Sequence, residues 1–250
     1  MHLFRAVLLA LLLPFAFNIA HAQDTSLQPK YGSTQKSAPQ LAADEMFIAS
    51  IDEHYKGNHV KAAADVSARG WQLLRAGNVN DAMRRFNQAW LLDHSNGVAL
   101  WGMAAIQSNA SNTRESLKLF AEAERSIGDD IDFSVDHAKT LGIAGAETKS
   151  DSLLNDAFTR FAQLHQKAPQ HVLNLQNWAI TLFYIGNYAE AWKKIRLAEA
   201  APRRNSSLSD FQPGHDSKGL ARNFVFDVRS YLVVANRIGF VEGDGHTCLA

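Results

Sequence analysis

The feature that most constrains this chain is a self-similarity with a period of about 34 residues. The stretch from Ala64 to Asn96 reads ADVSARGWQLLRAGNVNDAMRRFNQAWLLDHSN, two helical patterns separated by Ala76-Gly77-Asn78. Gly70 stands where two helices need close approach, and Gly77 supplies the turn. Ala82 is the small residue at the crossing, with Phe86 and Ala89 filling the groove behind it. From Leu173 to Pro202 the same order returns: Trp178 and Ala179 as the large and small positions, and Gly186-Asn187-Tyr188 as the turn. Ala191 then marks the crossing, Ile195 and Ala198 fill the groove, and Pro202 is the stop.

Two weaker copies lie between these. Leu100, Met103 and Ala104 fall on a first helix, and Ser116, Phe120 and Ala123 on a second, with Ser111-Asn112 in place of the glycine turn. A third copy opens at Ile131, carries Ala157, Phe161 and Leu164 on its second helix, and ends at Pro169. It holds about seven extra residues around GIAGAETKS, from Gly142 to Ser150, which read as a lengthened turn. With that one insertion the four copies run without a gap over residues 63–205. A helix pair of this kind cannot bury its apolar face alone, so neighbouring copies must stack.

This order of small, large and turn residues resembles the tetratricopeptide repeat, with departures at Arg69, where the pattern has Leu, and His94, where it has Pro. The resemblance implies an all-α fold, a helical solenoid of about four helix-turn-helix repeats with a C-terminal cap. In that family the first helix of each copy lines a concave groove that holds the ligand. Carried over by register, the groove residues are Trp71, Leu74 and Arg75 in the first copy and Trp101 and Asn109 in the second. Lys139 follows in the third, and Gln176, Phe183 and Tyr184 in the fourth. Trp, Tyr and Arg dominate binding energy at interfaces; the other reading packs Trp71 and Trp101 between repeats as core. Some members of the family clamp a C-terminal carboxylate with Lys and Asn, but Ser67 and Trp71 stand at those positions here. A mixed aromatic and polar groove suits an extended or helical peptide segment. The implied role is a non-catalytic protein-interaction module, a periplasmic adaptor or assembly factor with a protein or peptide partner. The alternative is a structural subunit that self-associates in an envelope complex.

The flanks divide as follows. Residues 1–22 read as a signal peptide: Arg5, an apolar run from Ala6 to Ile19, then Ala20-His21-Ala22 as the cleavage pattern. The mature chain is then expected in the periplasm or outside the cell. Residues 23–40 are polar, with Pro29, Gly32 and Pro39, and read as a disordered leader. Residues 41–62 form an N-terminal helical extension that stops at Gly57-Asn58 and restarts near Val60. Residues 206–250 supply a polar connector, an apolar segment and a tail. Within that segment Leu220, Phe224, Val228, Tyr231, Ala235 and Ile238 share one helical face, while Phe224, Phe226 and Val228 also permit a strand.

Composition narrows the chemistry. Lys+Arg and Asp+Glu both number 25, so no long-range field gathers phosphate backbones or anionic headgroups, and neither nucleic acid nor stable membrane insertion is expected. Cys248 is the single cysteine, which rules out an intrachain disulfide. The ten His residues are scattered: His54 and His59 flank a Gly-Asn break, and His165 and His171 straddle Pro169. No zinc-protease, paired-Cys or hydrolase motif occurs, and Asp129, Asp130 and Asp132 read as a helix N-terminal pattern rather than a Ca²⁺ loop. No catalytic residue, metal or cofactor is assigned.

Overall fold

Apolar residues at i, i+4 and i+7 on the second helical pattern of each copy dictate hairpins, because only a neighbouring helix can cover such a stripe. The computed structural model describes residues 24–201, and among these the fold is all-helical. The nine helices are α1 (Ala38–Tyr55), α2 (His59–Arg75), α3 (Val79–Leu92), α4 (Gly97–Asn109), α5 (Thr113–Ile127), α6 (Ile131–Thr148), α7 (Asp151–Lys167), α8 (Val172–Tyr184) and α9 (Tyr188–Ala200). Adjacent helices pack as the pairs α2–α3, α4–α5, α6–α7 and α8–α9, an arrangement consistent with a helical repeat solenoid. The predicted signal peptide with its cut near Ala22, and the predicted connector, cap and tail, lie outside the described residues.

The second helices bury one stripe in one register. Ala82, Phe86 and Ala89 on α3 correspond to Ser116, Phe120 and Ala123 on α5, Ala157, Phe161 and Leu164 on α7, and Ala191, Ile195 and Ala198 on α9, and all are buried. The turns repeat as closely. Gly77, Ser111 and Gly186 adopt left-handed φ values of 81°, 60° and 80°, and each is followed by an Asn at the N-cap of the second helix. In each turn the left-handed residue donates its N–H to the carbonyl three back, and the Asn donates to the carbonyl five back, at 2.9–3.1 Å. Glycine meets that backbone without strain; Ser111 adopts it at a cost of about 1 kcal/mol.

Close approach explains other glycines. A Cβ on Gly70 would stand 2.6 Å from the Phe86 ring, and one on Gly102 would stand 2.2 Å from it, so α2 and α4 sandwich that ring. The third hairpin corrects one sequence expectation. Residues 142–148 do not lengthen the turn; they continue α6 to Thr148, and the turn is Lys149-Ser150, with Lys149 at φ 53°. The two glycines that suggested a loop face packed neighbours instead. A Cβ on Gly142 would meet the Thr181 hydroxyl at 2.4 Å, and one on Gly145 would meet Leu154 at 2.8 Å.

A second correction concerns residues 24–37, expected to be a disordered leader. They form a strap against α3, and α1 begins at Ala38 behind a Ser37–Gln40 capping box. Asn87, buried on α3, donates from Nδ2 to the carbonyls of both Ser26 and Gln28 at 2.8 Å. Arg84 reaches Asp24 and Ser26, and Lys30 pairs with Glu122 on α5 at 2.8 Å. Lys30, Tyr31, Gly32 and Ser33 all carry positive φ, one left-handed turn that costs about 1–2 kcal/mol for each non-glycine residue. The strap supplies few apolar residues, which is why its sequence reads as disorder; side-chain hydrogen bonds from α3 hold it.

Candidate functional site

The residues nominated from the sequence fall into two groups. Trp71, Leu74 and Trp101 are interior, at 4%, 3% and 1% exposure. The Trp71 and Trp101 rings lie 4.6 Å apart, centroid to centroid; Trp71 Nε1 donates to the Val98 carbonyl at 3.2 Å, and Trp101 Nε1 donates to Asp136 Oδ2 at 3.0 Å. Their polar edges are satisfied within the protein, so these residues are core rather than groove, as Leu74 is. They belong to an aromatic run from Phe86 through Trp71 and Trp101 to Phe133, Phe120 and His137, which ties α2–α3 to α4–α5 and α6. Sequence spacing alone did not separate the two roles, because a first helix presents large residues both to its groove and to its neighbours.

The other six reach the surface. Arg75, Lys139, Gln176 and Phe183 are half-buried, Asn109 is exposed, and Tyr184 is 56% exposed. Counted from the left-handed turn residue, Arg75, Asn109 and Tyr184 hold the same position, two residues earlier, as does Glu147 in the third hairpin. Lys139 and Gln176 share another, ten residues earlier, with Ser67 and Trp101. First helices contact one another across hairpins, α2 with α4, α4 with α6 and α6 with α8, so equivalent positions form rows along the stack.

A polar network that the sequence did not suggest joins α5, α6 and α7. Arg160 on α7 binds Glu124 on α5 at 2.5 Å and Asp156 at 2.9 Å, and His137 on α6 sits 3.7 Å from Glu124 with its ring stacked on Phe120. Burial, and then the Arg160 charge, push the His137 pKa down to about 4. Burial holds the Asp136 carboxyl above the usual range, against the opposing pull of Lys139 and Trp101. Asp130 caps α6 by accepting from the Phe133 N–H at 2.9 Å. His171 accepts from the Asn174 N–H at Nδ1, which leaves Nε2 to donate to the buried Asp132 at 2.9 Å. These groups join helices; Asp132 and His137 are buried, whereas Asp156 and Glu124 keep part of their side chains in solvent. Among the described residues no three His, Cys, Asp or Glu side chains gather to hold a metal ion, and no helix is long and apolar enough to cross a membrane.

One cleft, of about 280 Å³, lies between the strap, α1 and α3, lined among others by Tyr31, Lys36, Asp44, Phe47 and Arg84. Its charges are internally paired: Lys36 with Asp44, and Arg84 with Asp24. Lys36 also sits 3.5 Å over the Tyr31 ring. Compared with known proteins, the chain matches no family model, and no curated protein resembles it closely enough to count as a relative.

Proposed function

We propose that this chain is a non-catalytic protein-interaction module of the tetratricopeptide-repeat type, exported from the cytoplasm, that holds a peptide or protein segment along its row of first helices. The observation that carries the reading is the shared turn. Gly77, Ser111 and Gly186 repeat one backbone geometry and one pair of hydrogen bonds, which sets the first helices in a common orientation. Those helices touch across hairpins, whereas the second helices approach one another less closely, so the stack bends toward the first-helix row. A row of Arg75, Asn109, Glu147 and Tyr184 offers a guanidinium, an amide, a carboxylate and a phenol at successive steps of that bend. Such a rigid, mixed surface suits a chain segment read residue by residue, because the scaffold has little entropy left to lose on binding.

The test is capture from an envelope extract by the mature chain, with Arg75→Ala/Tyr184→Ala as the comparison. A partner retained by the parent and lost by the double variant at unchanged melting temperature supports the role. Equal capture by both overturns it. A stable oligomer in light scattering, weakened by the same substitutions, would move the assignment to a self-associating subunit.

A further inference from the structure

Asn87 owes its burial to a segment that the repeat does not supply. Counted from the crossing residue, its equivalents are Ala121 on α5, Ala162 on α7 and Arg196 on α9; Ala121 and Arg196 are exposed, so this side of the second helices turns outward. On α3 the strap covers it, and the central contacts go to main chain: Asn87 Nδ2 donates to the carbonyls of Ser26 and Gln28. Charges bracket that grip, with Asp24 on Arg84 at 3.2 Å and Lys30 on Glu122 of α5 at 2.8 Å. The strap nevertheless fits this site incompletely. Asn87 Oδ1 is buried and accepts no hydrogen bond, although a primary amide can both donate to and accept from a peptide chain. Residues 24–33 are half-buried at most, and a cleft of about 280 Å³ stays open between the strap, α1 and α3. Lys30, Tyr31 and Ser33 hold a left-handed backbone that only glycine adopts freely.

We infer that this outer face of α3 and α5 is a second binding surface, for an extended segment of a partner protein with an acidic residue six positions ahead of a basic one, and that the strap is its built-in competitor. The strap itself fixes the chemistry of the occupant. A carboxylate at position 24 meets Arg84, an ammonium at position 30 meets Glu122, and the carbonyls between them meet Asn87. The Asn87 contacts do not depend on the side chains of residues 26 and 28, so a foreign segment with the same two charges makes them equally well. Such a segment has no need to turn back into α1 at Ala38, and so escapes the left-handed residues that the strap carries. It can also present an N–H to Asn87 Oδ1, whose lack of a partner is costly in a buried site. These differences favour the incoming segment, and tethering favours the strap. The surface is therefore closed at rest and lies on the second helices, apart from the first-helix row.

Fluorescence anisotropy of a labelled peptide with the sequence of residues 24–37, added to the full chain, tests this. Asp24→Lys/Lys30→Glu sets like charges against Arg84 and Glu122, which frees the strap and leaves the surface intact. That variant should bind the peptide at least tenfold more tightly than the parent, whose own strap competes. Adding Asn87→Ala to it, or exchanging the two charges within the peptide, should weaken binding at least tenfold. Arg75→Ala/Tyr184→Ala should leave peptide binding unchanged, which keeps this surface distinguishable from the first-helix row. Lys30→Glu alone decides the matter if the double variant fails to fold. A freed chain that binds no peptide overturns the inference, as does binding that ignores Asn87→Ala or the order of the charges. A parent that is dimeric in light scattering, and monomeric once the strap is freed, overturns it too and assigns the surface to the strap of a second copy.

Discussion

The ring of Phe86 fills the space that a Cβ on Gly102 would need, its Cζ standing 2.2 Å from that point. Alanine in place of glycine inside a helix ordinarily stabilises by about 0.5–1 kcal/mol. Here the ring has no room to retreat, since Gly70 bounds its other side and Trp71 packs against it at 5.7 Å. Overpacking costs about 1–3 kcal/mol, so Gly102→Ala should lower the melting temperature despite its helix propensity. Adding Phe86→Leu to Gly102→Ala should cost less than the two single effects summed. A fully additive pair in urea unfolding would show that the ring and the glycine do not share this space.

The two groups of nominated residues should separate cleanly in thermal unfolding. Trp101→Ala removes a buried indole and leaves Asp136 without its donor, a loss of about 3–5 kcal/mol. Tyr184→Ala, at an exposed position, should change stability by no more than about 0.5 kcal/mol while weakening partner capture. A Trp101→Ala protein as stable as the parent would contradict the interior placement.

Asn87→Ala should release the strap without dismantling the hairpins. It deletes both hydrogen bonds to the Ser26 and Gln28 carbonyls, at a cost of about 1–3 kcal/mol, and the left-handed turn then relaxes. Trypsin cleavage after Lys30 should become at least tenfold faster, with α4–α9 fragments unaffected. Unchanged cleavage at Lys30 would mean that other contacts hold the segment.

Acidification gives an independent handle on the buried His137. His137 titrates near 6.5 when unfolded and near 4 when folded, so the unfolded chain takes up the proton first as pH falls. The stabilisation belonging to neutral His137 is complete above about pH 6.5 and is lost progressively down to about pH 4, up to about 3 kcal/mol in all. Glu124, held below the usual carboxylate range chiefly by Arg160 against the opposing effect of burial, adds a loss of the same sign at lower pH; the raised Asp136 opposes it. The difference between parent and His137→Phe isolates the imidazole. The variant should lose less stability between pH 6.5 and 4, and parallel curves would refute the assignment.

The second helices were legible because their apolar stripe has one helical period and one environment: Ala82, Ser116, Ala157 and Ala191 are buried as spacing requires. The first helices were harder to read. They are covered on more than one side, so Trp71 and Trp101 carry no periodic signal that distinguishes neighbour from groove. Gly142 and Gly145 misled because glycine serves both turns and tight packing, and only their partners Thr181 and Leu154, distant or across a turn, decide which. The strap was illegible because what binds it is an amide on another element, Asn87, acting on main-chain carbonyls that look alike in any sequence. The row of Arg75, Asn109 and Tyr184 follows from the turn register once Ser111 stands as the equivalent of glycine, but Glu147 does not, because the sequence spreads the third turn over 142–150 and it lies at Lys149 instead.

The apolar interior is not divided evenly along the stack. One cluster runs from Ile51 through the first two hairpins to Phe133, while α6–α7 and α8–α9 hold smaller clusters joined through the half-buried Phe158 and Trp178. Between units, α6 packs less closely on α4 and α5 than α4 packs on α2 and α3 or α8 packs on α6 and α7. Heated or pulled, such a molecule parts first at that middle seam, so that a binding row stretched across all four units loses its grip between Asn109 and Glu147 before either half gives way.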